Sequence, residues 1–135
     1  MRLCVSNLPP PTVPRALAVA VLLVLAGCAE PERVDARYTT VPQGDAQRGL
    51  RLLAQYQCGS CHRIPEAAAA VGTLGPPLQA FGRRSYIAGH LPNGPSTLQH
   101  WLQDPQALVP GTAMPDLGVS ADDARDMAAY LLALR

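Results

Sequence analysis

The chain has 135 residues, which suggests a single domain. It contains one Phe and one Trp, so a packed core needs bulk from another source, and small domains often take it from a cofactor, a metal or disulfides. All eleven basic residues are Arg, the formal net charge is +1, and no basic run occurs. This pattern excludes nucleic acid as an expected partner.

The N-terminal segment has the features of a bacterial export signal. Residues 16–26 form a continuous apolar run after Arg15, too short to span a bilayer but typical of the hydrophobic region of a signal peptide. The run ends in Leu25-Ala26-Gly27-Cys28, which resembles the lipobox of bacterial lipoproteins. This resemblance implies a signal peptide over residues 1–27 and a lipid on Cys28, anchoring the protein to a bacterial membrane on the periplasmic side. The alternative is an ordinary signal peptide that leaves Cys28 as a thiol.

A polar, Pro-punctuated segment follows, and we interpret residues 28–43 as a flexible tether. The folded domain is predicted over residues 44–135. Asp45 is a suitable N-cap for a first helix, in which Gly49, Leu52, Leu53 and Tyr56 share one face.

Three further helices are predicted along the domain. Residues 65–70 favour a short helix, and Pro95 fits the first turn of a longer one that ends before Pro105. The last helix is the clearest, since Ser120 is a good cap and apolar residues recur after it with helical spacing. No segment shows convincing strand alternation. The pattern therefore predicts an all-α domain.

Cys58-Gly59-Ser60-Cys61-His62 is the strongest motif in the chain. The pattern C-x-x-C-H is typical of c-type haem attachment, in which Cys58 and Cys61 add to the haem vinyl groups and His62 ligates the iron. A thioredoxin-like redox pair would need a βαβ context, which is absent. A zinc site would need two more ligands, and the only candidates, His90 and His100, match no common zinc spacing.

Two methionines in the predicted domain are candidates for a second axial ligand. Met127 lies on the apolar face of the last helix, where core packing is the default. Met114 lies in a Pro-flanked loop, Val109-Pro110-Gly111-Thr112-Ala113-Met114-Pro115, which suits a thioether held at a fixed distance from iron.

Residues 44–135 resemble a class I cytochrome c. The matching segments occur in the family's order: Gly44-Asp45, the C-x-x-C-H motif, Gly75-Pro76-Pro77-Leu78, Phe81-Gly82-Arg83, the stretch 98–105, Pro110-Gly111-Thr112-Ala113-Met114 and Ala129-Tyr130-Leu131. The resemblance implies four to five helices around one covalent haem c, and an electron carrier that is not an enzyme.

The same resemblance implies roles for individual residues. Met114 would be the sixth iron ligand, and the Pro76 carbonyl would accept a hydrogen bond from His62 Nδ1. Arg83 would lie near a haem propionate, Trp101 would pack beside the ring, and Thr112 would brace the methionine loop. The chain also departs from the mitochondrial pattern: it lacks a Lys-rich face, and Asn93 stands where those proteins have a Trp.

The segments 87–93 and 98–106 are more specifically similar to the cytochrome c domain fused to subunit II of caa3-type oxidases. This similarity favours a membrane-tethered carrier that donates electrons to a terminal oxidase. Two alternatives remain open: a permanent haem subunit of a periplasmic dehydrogenase, and a haem sensor or peroxidase with a labile sixth ligand. No small-molecule substrate is expected for the first two.

Overall fold

A computed structural model describes residues 39–135 of the protein. The expected signal peptide, Cys28 and the tether up to residue 38 lie outside the described residues. The elements in chain order are α1 (Ala46–Gln55), β1 (Tyr86–Ile87), β2 (Leu91–Pro92), α2 (Pro95–Gln103), α3 (Pro105–Leu108) and α4 (Ala121–Ala133), with short 3-10 turns at Cys58–Ser60 and Phe81–Arg83.

Helices α1 and α4 pack closely against each other, and their ends are capped as predicted. The Asp45 carboxylate accepts hydrogen bonds from two backbone amides of the first turn of α1, and Ser120 Oγ accepts one from Asp123 N. At the crossing, the backbone of Gly49 lies against the carbonyl of Asp126 and the Cα of Met127, and a Cβ on Gly49 would overlap that carbonyl. The small residue therefore sets the distance between the helices.

A polar network spans the same crossing. Asp126 is buried, and it accepts hydrogen bonds from Asp45 N at 2.9 Å and from the Arg48 guanidinium. Asp123 accepts from Arg48 at 2.5 Å and from the Tyr56 hydroxyl at 2.8 Å. The Tyr56 hydrogen bond, opposed by burial and assisted by Ser120 and Arg48, lowers the pKa of Asp123 below its ordinary value.

The all-α prediction is correct for the helices, but the domain also contains one small antiparallel hairpin. In it, Tyr86 pairs with Pro92 and Ile87 pairs with Leu91. Two residues per strand are too few to show alternation, so the sequence pattern could not reveal it. The connecting residues Ala88 and Gly89 both have positive φ, which reverses the chain within three residues.

Two further predictions differ from the structure. Residues 65–70 form turns instead of a helix, because Glu66 has a φ of 62° and Ile64 N bonds across the loop to Ala70 O at 3.2 Å. The packed region also begins before residue 44. Val41, assigned from sequence to the tether, is only 7% exposed and belongs to the core.

Helices α2 and α4 supply most of the remaining core. Leu98, Trp101 and Leu102 are the buried face of α2, as their spacing predicts. Pro95 occupies the first turn of α2, and the helix ends at Gln103, before Pro105 starts α3. These helices leave an interior space between them and the loops that carry residues 58–62 and 109–117.

Candidate functional site

The described residues enclose a cavity of about 850 Å³. This volume lies within the range of roughly 300–1,000 Å³ that is usual for small-molecule and cofactor sites. Its walls are mainly apolar, with Leu53, Leu98, Trp101 and Leu131 among them. Every residue of the C-x-x-C-H motif except Gly59 lines this cavity, and so does Met114. The structure thus brings together residues that are separated by more than fifty positions in the chain.

The C-x-x-C-H motif is wound into a tight turn at the end of α1. Gln57 has a left-handed φ of 56°, which ends the helix and starts the 3-10 turn. The amides of Cys61 and His62 then both donate to the carbonyl of Cys58, at 3.3 and 2.9 Å. This short coil directs two thiols and an imidazole into one cavity. The turn therefore brings the side chains that the motif singles out to one cavity.

The imidazole of His62 is held in one orientation by two consecutive residues, Gly75 and Pro76. Its Nδ1 is 2.7 Å from the carbonyl oxygen of Pro76, which can only accept, so Nδ1 is the donor and Nε2 is the nitrogen left for a metal. Gly75 lies directly against the ring, where a Cβ would be 2.6 Å from Nδ1. A neutral imidazole with a hydrogen-bonded Nδ1 is the usual arrangement of a metal-binding histidine.

Cys58 and Cys61 form no disulfide with each other. Burial raises the pKa of the Cys58 thiol to about 11, and the neighbouring Cys61 adds to the effect. Reactive redox cysteines have the opposite property, a lowered pKa. Together with the absence of any βαβ unit among the described elements, this argues against a thioredoxin-like pair.

Met114 lies on the loop between α3 and α4 and is partly buried. Thr112 Oγ1 accepts a hydrogen bond from Met114 N at 3.3 Å, and Trp101 lines the same cavity. Met127 is fully buried in α4 and is not among the residues that line the cavity. The two methionines therefore have the different environments that their sequence contexts predicted.

Gln106 was not singled out from sequence, although it makes more hydrogen bonds to the Met114 loop than Thr112 does. Its amide nitrogen donates to Thr112 O at 2.6 Å and to Met114 O at 3.3 Å, and its amide oxygen accepts from Gly111 N at 3.1 Å. An exposed Gln in a short helix gives no sequence signal of such a role. Only the position of the loop reveals it.

Arg83, the residue expected near the cofactor, and its neighbour Arg84 have different environments. Arg83 is exposed and does not line the cavity, whereas Arg84 does. The Arg84 guanidinium lies 5.3 Å from the centre of the Phe81 ring and donates to the carbonyls of Pro77 and, at 3.3 Å, Gln79. Among the described residues that line the cavity, Arg84 is the only Arg, Asp or Glu.

Asn93 stabilises the segment that carries Arg84. Its Nδ2 donates to Phe81 O at 3.1 Å and to Arg84 O at 3.0 Å. Its Oδ1 is buried without a partner within the described part of the chain. The Asn that replaces the mitochondrial Trp thus acts on the backbone of residues 81–84.

The alternative metal ligands are not assembled. His90 and His100 are exposed and lie outside the cavity lining. Within residues 39–135, no three His, Cys, Asp or Glu side chains form a group that could hold a metal ion. These findings speak against a zinc site built on the C-x-x-C pair.

A small, mostly helical domain with a C-x-x-C-H turn facing an apolar cavity defines a known class of protein. The sequence profile of the cytochrome c family matches residues 46–135, about two thirds of the chain. The chain therefore belongs to the cytochrome c family, and its fold is that of a class I cytochrome c. Membership implies a haem c cofactor and a role in electron transfer.

Individual relatives agree with this assignment. The chain is 34% identical over 91 residues to cytochrome c oxidase subunit 2 of Alkalihalophilus pseudofirmus, covering 67% of this chain and 26% of the relative. It is 28% identical over 96 residues to cytochrome c oxidase subunit 2 of Bacillus subtilis, with coverages of 69% and 27%. Cytochrome c of Tetrahymena pyriformis is 36% identical over 103 residues, covering 68% of this chain and 91% of the relative.

The resemblance to the oxidase subunit domain is thereby confirmed for the shared region. The match covers only about a quarter of the length of those oxidase subunits. In the part of the chain that the structure describes, no helix is both long and apolar enough to cross a membrane.

Proposed function

We propose that this protein carries single electrons through one haem c, bonded to Cys58 and Cys61 and ligated by His62 and Met114. The observation that carries the proposal is that His62, with its free Nε2, and the Met114 side chain line the same apolar cavity. Haem supplies the exchange of one electron between ferrous and ferric iron. With His62 and Met114 both holding the iron, no position would be left for oxygen or a substrate, and the protein would act as a carrier and not as an enzyme.

The residues around the cavity fit a haem by their chemistry. The apolar walls can take the porphyrin faces and exclude water, and the two thiols, which line the same cavity, would add to the two vinyl groups. The hydrogen bond from His62 to Pro76 fixes the ring and raises its basicity. A thioether as the second ligand favours the ferrous state and raises the reduction potential. A positive potential suits a donor late in a respiratory chain.

The haem carboxylates need polar partners, and Arg84 is the side chain best placed to supply one. Among the described residues that line the cavity it is the one guanidinium, and it is oriented by two carbonyls and the Phe81 ring. Arg83, the residue that the family resemblance placed near a propionate, is exposed and does not line the cavity. We therefore assign the propionate contact to Arg84 in preference to Arg83.

We also propose that a lipid on Cys28 tethers the domain to a bacterial membrane at its periplasmic face. The support is the apolar run that ends in Leu25-Ala26-Gly27-Cys28. Diacylation with an N-acyl chain binds a membrane stably, whereas a single chain binds only marginally. Cys28→Ser should release the protein from the membrane fraction or leave the signal uncleaved. An anchored variant with an unchanged mature mass would contradict the proposal.

A terminal oxidase is the favoured electron acceptor, because two relatives are cytochrome c oxidase subunits. A permanent haem subunit of a dehydrogenase is the second candidate. The two are separated by purification from solubilised membranes. A carrier should elute free of large subunits at moderate salt, whereas a permanent subunit should stay with its dehydrogenase.

Spectroscopy of the holoprotein tests the haem ligation. We expect haem that resists acid–acetone extraction and a ferric absorption band near the red edge of the visible, which indicates a methionine–iron bond. Met114→Ala should remove this band, lower the potential and allow carbon monoxide to bind ferrous iron.

Met127→Ala is the matched control. It should keep the band and cost about 2–5 kcal/mol of stability, because the side chain is fully buried in the core. If the wild-type ferrous protein already binds carbon monoxide readily at neutral pH, the sixth position is open and a sensor or peroxidase is the better interpretation.

A further inference from the structure

The loop that carries Met114 has few backbone hydrogen bonds of its own. Between α3 and α4 it spans residues 109–120, and its internal backbone bond is that of Thr112 N to Val109 O at 3.1 Å. Gly111 has a φ of +82°, which reverses the chain just before the methionine. Such a segment needs outside partners to keep one conformation.

Gln106 provides those partners from a fixed base. Its helix, α3, is capped by Asp104, whose carboxylate accepts from Ala107 N at 2.9 Å, and Pro105 is fully buried beside it. From this base the Gln106 amide makes three hydrogen bonds, one to each of Gly111, Thr112 and Met114. One side chain therefore joins both ends of the turn that presents the methionine.

We propose that Gln106 is a positioning residue that keeps the Met114 loop closed and so sets how often the sixth iron position opens. This inference rests on the proposed ligation of iron by Met114. An amide is required because the loop offers two acceptors, the carbonyls of Thr112 and Met114, and one donor, the amide of Gly111. Glutamate at position 106 can satisfy only the Gly111 donor, and leucine can satisfy none of the three.

Cyanide binding to the ferric holoprotein measures the opening, because an external ligand enters only after Met114 leaves iron. Gln106→Leu should raise the binding rate about tenfold, equivalent to about 1.4 kcal/mol. That value is in the range expected for the loss of several exposed hydrogen bonds. Gln103→Leu is the control, since Gln103 bonds within its own helix to Gln99 O at 3.0 Å. It should change the rate by less than about twofold, near the neutral range of surface substitutions.

Amide hydrogen exchange gives a second readout that does not depend on the methionine–iron bond. Gly111 N should exchange faster in Gln106→Leu, but should stay protected in Gln106→Glu, which keeps its acceptor oxygen. The cyanide rate should rise in both variants. Unchanged cyanide rates in both, with the wild-type methionine band present, would overturn the role of Gln106. Absence of that band in the wild type would instead overturn the proposed ligation, and the exchange rates would still test whether Gln106 holds the loop.

Discussion

The two sides of the cavity are stabilised in different ways. On the His62 side the loops are joined by backbone hydrogen bonds, among them Gly75 N to Cys61 O and Leu78 N to Arg63 O, both 2.8 Å. On the Met114 side the hydrogen bonds come mainly from the side chains of Gln106 and Thr112. Backbone bonds persist through most substitutions, whereas side-chain bonds are lost with the residue that makes them.

Because of this difference, haem retention and ligand exchange should depend on different sides of the cavity. The backbone-held His62 side suits a permanent attachment, since the C-x-x-C-H turn is formed within five residues. The Met114 side can be altered by single substitutions that leave the fold intact. We therefore expect mutations on the His62 side to affect haem retention, and mutations on the Met114 side to affect ligand exchange.

The largest effect should come from Gly75→Ala, which tests the tight packing on the His62 side. A Cβ would lie 2.6 Å from His62 Nδ1, and the backbone of Gly75 cannot retreat without losing its bond to Cys61 O. Overpacking of this kind costs about 1–3 kcal/mol. We expect less haem-loaded protein and a displaced imidazole, measured by the haem-to-protein absorbance ratio.

Gly94→Ala is its control, because nothing lies within 4 Å of a Cβ there and the backbone is extended, with a φ of 175°. It should mature normally. If Gly75→Ala also loads haem fully with an unchanged spectrum, the packing against His62 is less restrictive than the structure indicates.

The second-largest effect should be on the reduction potential, in a comparison of Arg84→Gln with Arg83→Gln. Removing a positive charge near the haem carboxylates favours the ferric state, so Arg84→Gln should lower the reduction potential. We expect the ratio of ferrous to ferric protein at a fixed potential to fall by roughly tenfold, which is about 59 mV for one electron. Arg83→Gln, at an exposed position, should shift the potential far less. Redox titration of both variants decides which arginine interacts with the haem, and equal shifts would contradict our assignment.

The smallest effect should be a loss of stability from a substitution away from the cavity, where α1 and α4 cross. Asp123→Asn removes the charge that interacts with Arg48 and Tyr56, and should cost about 1 kcal/mol at neutral pH because the Arg48 side chain is 43% exposed and solvent screens the pair. Since the folded pKa of Asp123 is lowered, its contribution is present at neutral pH and is lost as the pH falls below the ordinary pKa of an Asp and through the lowered one.

Urea unfolding of both proteins from pH 7 to pH 3 measures this contribution. The two curves should converge in acid, and the methionine band should be the same in both. Asp122→Asn, whose carboxylate is mostly exposed, should change stability by less than about 0.5 kcal/mol at any pH. A constant gap between wild type and Asp123→Asn across this range would contradict the ionised role of Asp123.

Much of the fold could be predicted because its signals are local. Asp45 and Ser120 cap the helices that they were expected to cap, and the buried faces of α1, α2 and α4 follow the 3.6-residue period. The secondary-structure predictions that were wrong concern segments whose local signals are weak. Residues 65–70 have helical composition, yet a left-handed Glu66 and a bond between Ile64 and Ala70 make them a loop.

The sequence by itself indicated the chemistry proposed for this protein, because two thiols and an imidazole lie within five residues and share a single turn of backbone. It also indicated Met114 as the candidate second ligand, through the composition of one loop. Only the tertiary structure decided which arginine reaches the cavity and which side chain holds the Met114 loop. Arg83 and Arg84 are adjacent and chemically identical, so their different roles depend on which way the turn at Phe81 directs each side chain. Gln106 bonds to residues five, six and eight positions further along, whereas helix caps and β-turns reach only about three.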